Sequence, residues 1–296
     1  MCDFLSQCLL EIGLIDDEGN PELSIWAVTD QGSNILRALK LLKEEKIIEG
    51  YHPCFNHNVQ NVIKEAINAT PGMKTSIEAF QRNAAILSKS KNERSAFKKM
   101  CTENNVPSNV PQVPNITRWF GQLAMLKTFQ KVERGMKLHI ADSSNMRPLT
   151  ATDWKNCRGY VDVLEPFLAA TKIEESESVL TLSSVIPALS VLYERTSSYI
   201  ANRSHAGYGT TLARNLLSAI DDRFGMNQTF FLQKPHCYAT LSDPRFSWVY
   251  FKKGDARMDQ MPETVIEGAK VEIAKIETKT RGKQSAQRGI SFSPGR

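Results

Sequence analysis

The sequence predicts a predominantly helical chain with a short α/β portion near its beginning. Apolar residues recur at helical spacing in segment after segment from Asn56 to Phe224. Two short runs of strand type, "LSIWAV" and "YHPCF", each lead into a helix. Between the stripes lie turn-forming clusters, among them the Pro- and Asn-rich "NNVPSNVPQVPN", which stop one helix before the next begins.

In chain order, "FLSQCLLEIGL" places Leu5, Cys8, Leu9 and Ile12 on one helical face, ahead of the turn "DDEGNPE". The strand run "LSIWAV" follows, and then "DQGSN", where Ser33 or Asn34 suits a helix cap before the stripe Ile35, Leu36, Leu39, Leu42. After "YHPCF", the helix expected over Asn56–Ala69 carries Val59, Val62, Ile63, Ala66 and Ile67 on one face, and helical pattern continues over Lys74–Met100. Leu149–Thr171 opens with "TATD", a capping box of Thr150 and Asp153, and turns Trp154, Cys157, Val161, Leu164, Phe167 and Leu168 inward; Pro166 is expected to kink it. "TLSSVIPALSVLYERTSSYI" and "TLARNLLSAIDDRF" add two amphipathic helices joined through "NRSHAGYG", and no repeat of fixed period links the helices.

With 296 residues, 41% of them hydrophobic, the chain can bury a sizeable core, and a net charge of +5 leans it toward anionic partners. Six cysteines at 2, 8, 54, 101, 157 and 237 show no CxxC or framework spacing, the pattern of reduced intracellular thiols. No apolar run reaches the roughly 20 residues of a membrane span, and "MCDFLSQCLLEIG" has acids where a signal peptide has a basic region, so no membrane partner is expected. Neither GxSxG, GxGxxG nor a P-loop occurs, and His139, His205 and His236 lack local partners for a triad, which leaves hydrolase and nucleotide-binding readings unsupported. From Lys279 the tail "KTRGKQSAQRGISFSPGR" is basic without an acid, the composition of a disordered segment with non-specific affinity for nucleic acid.

Taken in order, "AVTDQGSN", "HPCFNHNVQNVI", "NITRWFGQLAMLK", "LTATDWKNCRGYVDVLEPFLAATK", "TLSSVIPALSVL" and "ATLSDPRF" resemble the hAT superfamily of transposases and their domesticated BED-type zinc-finger relatives. The likeness covers most of Ser24–Phe246. It implies an α/β remnant of a ribonuclease H-like core with a large all-α insertion: a partial core over 1–73, a mainly helical insertion over 74–250 and a basic, disordered tail over 251–296.

In that family two aspartates and a glutamate hold divalent metal ions for DNA cleavage and strand transfer. Asp30 matches the second aspartate, Cys54 and His57 match a Cys-x-x-His pair, and Arg118 with Trp119 match an Arg-Trp pair near the start of the insertion. Two hard cations held by carboxylates about 3.5–4 Å apart activate an attacking oxygen and stabilise a leaving one. Arg118 would meet a phosphate through its planar fork, and Trp119 would stack on an extruded base or pack the insertion onto the core.

The family's first aspartate lies on an earlier strand, whereas Asp16 and Asp17 fall in a turn. Glu263, Glu267 and Glu272 are the acids available for the third position, and the paired cysteines and histidines of the BED finger are not present. Without those earlier strands "LSIWAV" would keep an open edge, as in a fragment of a longer ancestral protein.

The resemblance thus implies a nuclear, DNA-associated protein without transposition activity of its own, able to associate with copies of itself or with related transposase-like chains. Contacts to DNA would fall to Arg118, Trp119, Lys279, Arg281, Lys283 and Arg288, and Asp30 would be a vestigial ligand of Mg2+ or Mn2+. Two alternatives stand beside it: a divalent-metal-dependent transposase or nuclease subunit using Asp30, and a helical protein-interaction module. From the residues alone, Asp30 also reads as a turn or helix-capping aspartate. Cys54 and His57 offer donors suited to zinc, but even with His52 they fall short of the four ligands of a structural site. The expectation for them is a buried thiol and a hydrogen-bonded histidine, with no tightly bound cofactor.

Overall fold

The structure is a computed structural model that describes residues 2–246 apart from 22, 31, 115–118, 176–181, 203, 205–206 and 225–233. The described residues are predominantly helical, with eleven α-helices and one two-stranded sheet. None of these helices is long and apolar enough to cross a membrane.

The α/β portion runs α1 (Cys2–Glu11), β1 (Trp26–Thr29), α2 (Ser33–Glu44) and β2 (Gly50–Pro53). Because a helix carries the chain between them, the strands pair in parallel, Trp26 opposite Gly50 and Thr29 opposite Pro53. Side chains alternate along a strand, so Ala27 and Tyr51 turn to one face, where they pack with Leu39, Leu42 and Ile48. Trp26 and Val28 are thereby left on the other face. The helix start falls differently from expectation: α2 follows Gly32 with no side-chain cap from Ser33 or Asn34.

The expected helix after β2 is α3 (Phe55–Asn68), and its stripe of Val59, Val62, Ile63 and Ala66 is fully buried. The helical stretch over Lys74–Met100 divides at Ser90 into α4 (Pro71–Lys89) and α5 (Lys91–Glu103). Ser90 Oγ accepts the Glu93 N–H at 3.2 Å, and Arg94 Nε returns to donate to the Leu87 carbonyl at 3.0 Å, closing the end of α4.

Beyond the Pro-rich loop come α6 (Trp119–Lys131), α7 (Glu133–Asp142) and α8 (Ala151–Glu174). The capping box of α8 forms as its sequence predicts: the Asp153 N–H donates to Thr150 Oγ1 at 3.1 Å, and the Thr150 N–H to Asp153 Oδ2 at 2.8 Å. Trp154, Cys157, Val161, Leu164 and Phe167 point inward, while Leu168 is only half-buried, and the helix continues through Pro166 to Glu174. At the centre, Phe80 meets Phe129 and Trp154 edge to face, with ring centroids 4.9 and 5.1 Å apart. The remaining helices are α9 (Val185–Ala201), α10 (Tyr208–Phe224) and α11 (Lys234–Ser242), the last of which the sequence pattern did not single out.

The chain divides into two compact units, residues 1–175 with 191–223, and residues 176–190 with 224–296. In the second, a 3-10 turn (Leu182–Ser184) packs on α11, and Thr240 Oγ1 donates to the Ser183 carbonyl at 2.9 Å.

One glycine marks a close helix approach in the first unit. A Cβ on Gly135 of α7 would lie 2.6 Å from the Sγ of Cys101 on α5, itself fully buried. Alanine is worth about 1 kcal/mol over glycine inside a helix, but overpacking costs about 1–3 kcal/mol. Gly135→Ala is therefore expected to lower stability in urea titration, and adding Cys101→Ala to recover most of the loss.

Candidate functional site

Parallel pairing brings the ends of β1 and β2 side by side. The Cys54 N–H donates to the Thr29 carbonyl at 2.6 Å, so Asp30 and Cys54 leave the sheet as neighbours. α2 and α3 both begin here, neither with a side-chain cap, which puts two helix N-termini at the carboxyl ends of two parallel strands. In open α/β sheets this is the end that carries ligands.

Asp30 is exposed at that end. Its Oδ1 accepts the Gly32 N–H at 3.0 Å and the Thr29 hydroxyl at 3.4 Å, so one carboxylate oxygen does the work of a turn residue. Among the described residues no three of His, Cys, Asp and Glu come together to hold a metal ion. These residues by themselves do not make a divalent-metal centre. Glu263, Glu267 and Glu272 lie outside the described residues, as do Arg118, Lys279, Arg281, Lys283 and Arg288.

Cys54 and His57 differ from the expectation of a buried thiol and a sheltered imidazole: Cys54 is half-buried as the cap residue of α3, and His57 is exposed one turn on. The first turn of a helix projects its side chains outward, which is why His57 escapes the core while Phe55 and Asn58 enter it. His52 sits elsewhere, buried under Trp26, whose ring stacks on the imidazole with centroids 4.9 Å apart.

His57 and Trp119, 62 positions apart in the chain, line one hollow of about 220 Å³ with Asn56, Gln60 and Phe120. Trp119 is buried at the start of α6 and tilts against Phe120, centroids 4.3 Å apart. Asn56 Nδ2 donates to the Thr171 carbonyl at 3.3 Å, tying α3 to α8, while its buried Oδ1 has no hydrogen-bond partner. Such an acceptor marks a place for a donor from water or a ligand. A second hollow of about 370 Å³ shares Gln60 and Trp119 and has an apolar floor of Ile63, Ile67 and Ile77.

Two polar clusters went unread in the sequence. Glu93 accepts from His139 Nε2 at 3.0 Å, Ser143 Oγ at 3.0 Å and Asn145 Nδ2 at 2.7 Å. The Asn145 amide, with Ser143 and His139, holds its carboxyl below the ordinary glutamate value against the opposing pull of burial. In the second unit, Asp243 accepts from Arg245 Nη2 at 2.6 Å and Ser183 Oγ at 2.6 Å, and the guanidinium holds its carboxyl far below the ordinary value. This contact unites "TLSSV" with "SDPRF", and the local signal for it was Asp243 before a proline, two residues from an arginine.

Compared with known proteins, the chain matches no protein-family model and no curated protein sequence.

Proposed function

We propose that the chain is a hAT-transposase-derived nuclear protein that associates with DNA and carries no transposition activity of its own. In this reading β1, α2, β2 and α3 are the remnant of a ribonuclease H-like core, and the helices that follow are the family's insertion. The observation that carries it is the neighbourhood built around α3: Asp30 beside Cys54 at the strand ends, His57 in the next turn, and Trp119 sharing a hollow with His57. These are four of the five residues on which the resemblance within the first unit rests, and packing gathers them although they span positions 30 to 119.

The chemistry available there is binding. An aromatic ring beside amides and an unpartnered buried carbonyl oxygen suits a nucleobase, while the basic tail supplies sequence-independent attraction to phosphates. Sequence-independent DNA binding by the full chain, weakened by salt, is the test.

A second reading, metal-dependent DNA cleavage, is favoured by one observation: Asp30 is an exposed carboxylate at the end of a strand. Its metal would be Mg2+ or Mn2+, with Glu263, Glu267 or a partner chain completing the ligand set. Mg2+-dependent cleavage that is present in the wild-type chain and lost in Asp30→Asn would establish this reading over the first. DNA binding without cleavage is the result expected.

A further inference from the structure

Beyond that reading, and independent of it, the outer edge of β1 has a self-complementary form. Backbone groups of successive strand residues face opposite sides. Ile25 and Thr29 give their carbonyls to the β2 side, accepting the N–H groups of Glu49 and Cys54, so Trp26 and Val28 turn theirs the other way. No third strand pairs with β1 among the described residues. The side chains beside this edge are apolar and open to solvent: Trp26 is 37% exposed, Leu23 44% and Val28 57%. Edge strands that stay solitary are blunted by charge, proline or a bulge, and "LSIWAV" contains no charge and no proline.

We propose that this edge pairs with the same edge of a second copy of the chain, giving an antiparallel β1–β1 junction with Ala27 on the twofold axis. A closed twofold pair uses the same patch on both copies, and the two strands must run antiparallel for donors to meet acceptors. The register follows from the side chains. With Ala27 on the axis, Trp26 faces the second copy's Val28, an aromatic beside a β-branched residue, twice over. Asp30 then faces the second copy's Ser24, so no like charges oppose. Centring on Val28 would set Trp26 against Asp30, and centring on Trp26 would set Glu22 against Asp30, a pair of like charges. Charge and side-chain fit thus select one register and a second copy as the occupant.

The test is the mass of the full chain in solution by light scattering or sedimentation, from micromolar to millimolar concentration. The expected result is a concentration-dependent dimer. Val28→Lys should yield monomer with an unchanged helical circular-dichroism signal, since Val28 touches solvent and not the core. Ala27→Cys tests the register: residues on the axis form a non-hydrogen-bonded pair with Cα atoms about 4.5 Å apart, inside the disulfide range. Mild oxidation should link position 27 to position 27 across the two copies, seen by peptide mapping, and this readout stands even if Val28→Lys unfolds the sheet. A wild-type chain that is monomeric at millimolar concentration overturns the proposal. A dimer that survives Val28→Lys, or one in which Ala27→Cys does not cross-link, overturns it as well.

Discussion

Trp154→Ala should unfold the first unit under conditions where the wild-type chain is stable. Trp154 is 1% exposed and meets Phe80 and Phe129 edge to face, so truncation removes the common neighbour of two fully buried rings. Loss of a large aromatic from a packed core costs about 3–5 kcal/mol, the transfer free energy of the ring plus the cavity left behind. Total stability in a domain is typically about 5–15 kcal/mol, so the urea midpoint should fall by a third or more. Trp154→Phe should cost markedly less, because a ring remains to fill most of the space. Equal losses from the two variants would mean that the indole's polar end, and not its bulk, carries the effect.

Glu93→Ala should be the most damaging change at a polar residue. Its carboxylate is the acceptor for His139, which is 2% exposed, and for Ser143 and Asn145. Removing it leaves a buried donor unsatisfied and unties α5 from the end of α7, at a cost of about 3 kcal/mol. The pH dependence has a definite sign. Since hydrogen bonds hold the folded carboxyl below the ordinary glutamate value, its contribution is fully present above the unfolded pKa and is lost as pH falls through the folded one. The stability gap between wild type and Glu93→Gln, measured by urea unfolding, should be constant near neutrality and close on acidification below about pH 4.5. A gap that widens in acid would contradict this placement of the charge.

The legible parts of the fold were those set by neighbours in sequence. "TATD" specifies the start of α8 because both capping bonds join residues three apart, and the stripe of α3 is legible because one periodicity decides which side chains are buried. The break between α4 and α5 was equally available in "SKNE", a serine followed three residues later by glutamate, but it reads like a continuing helix because the stripe resumes at once. Even read as a capping box it would have misled, since Glu93 reaches away from Ser90 to His139, 46 positions on. The cap of α2 was misplaced because Asp30, two residues ahead of Gly32, satisfies that amide itself. α11, "KPHCYATLS", shows little one-sided apolar pattern, and its contacts are with a turn more than 50 residues earlier.

The candidate site was legible as residue types and only partly as geometry. The sequence marks Asp30 as the end of a strand, and the structure adds that a parallel neighbour sets Cys54 beside it. That His57 and Trp119 share a hollow follows from the packing of α3 against α6, a contact no local signal encodes.

The most direct test of the central claim is the affinity of the full chain for random-sequence duplex DNA, measured as a function of salt. The account predicts binding at low salt without sequence preference. The logarithm of the association constant should fall linearly with the logarithm of salt concentration, by about 0.9 for each phosphate neutralised. Absence of binding at low salt by a folded chain would contradict it, and would leave the helices as a surface for protein partners.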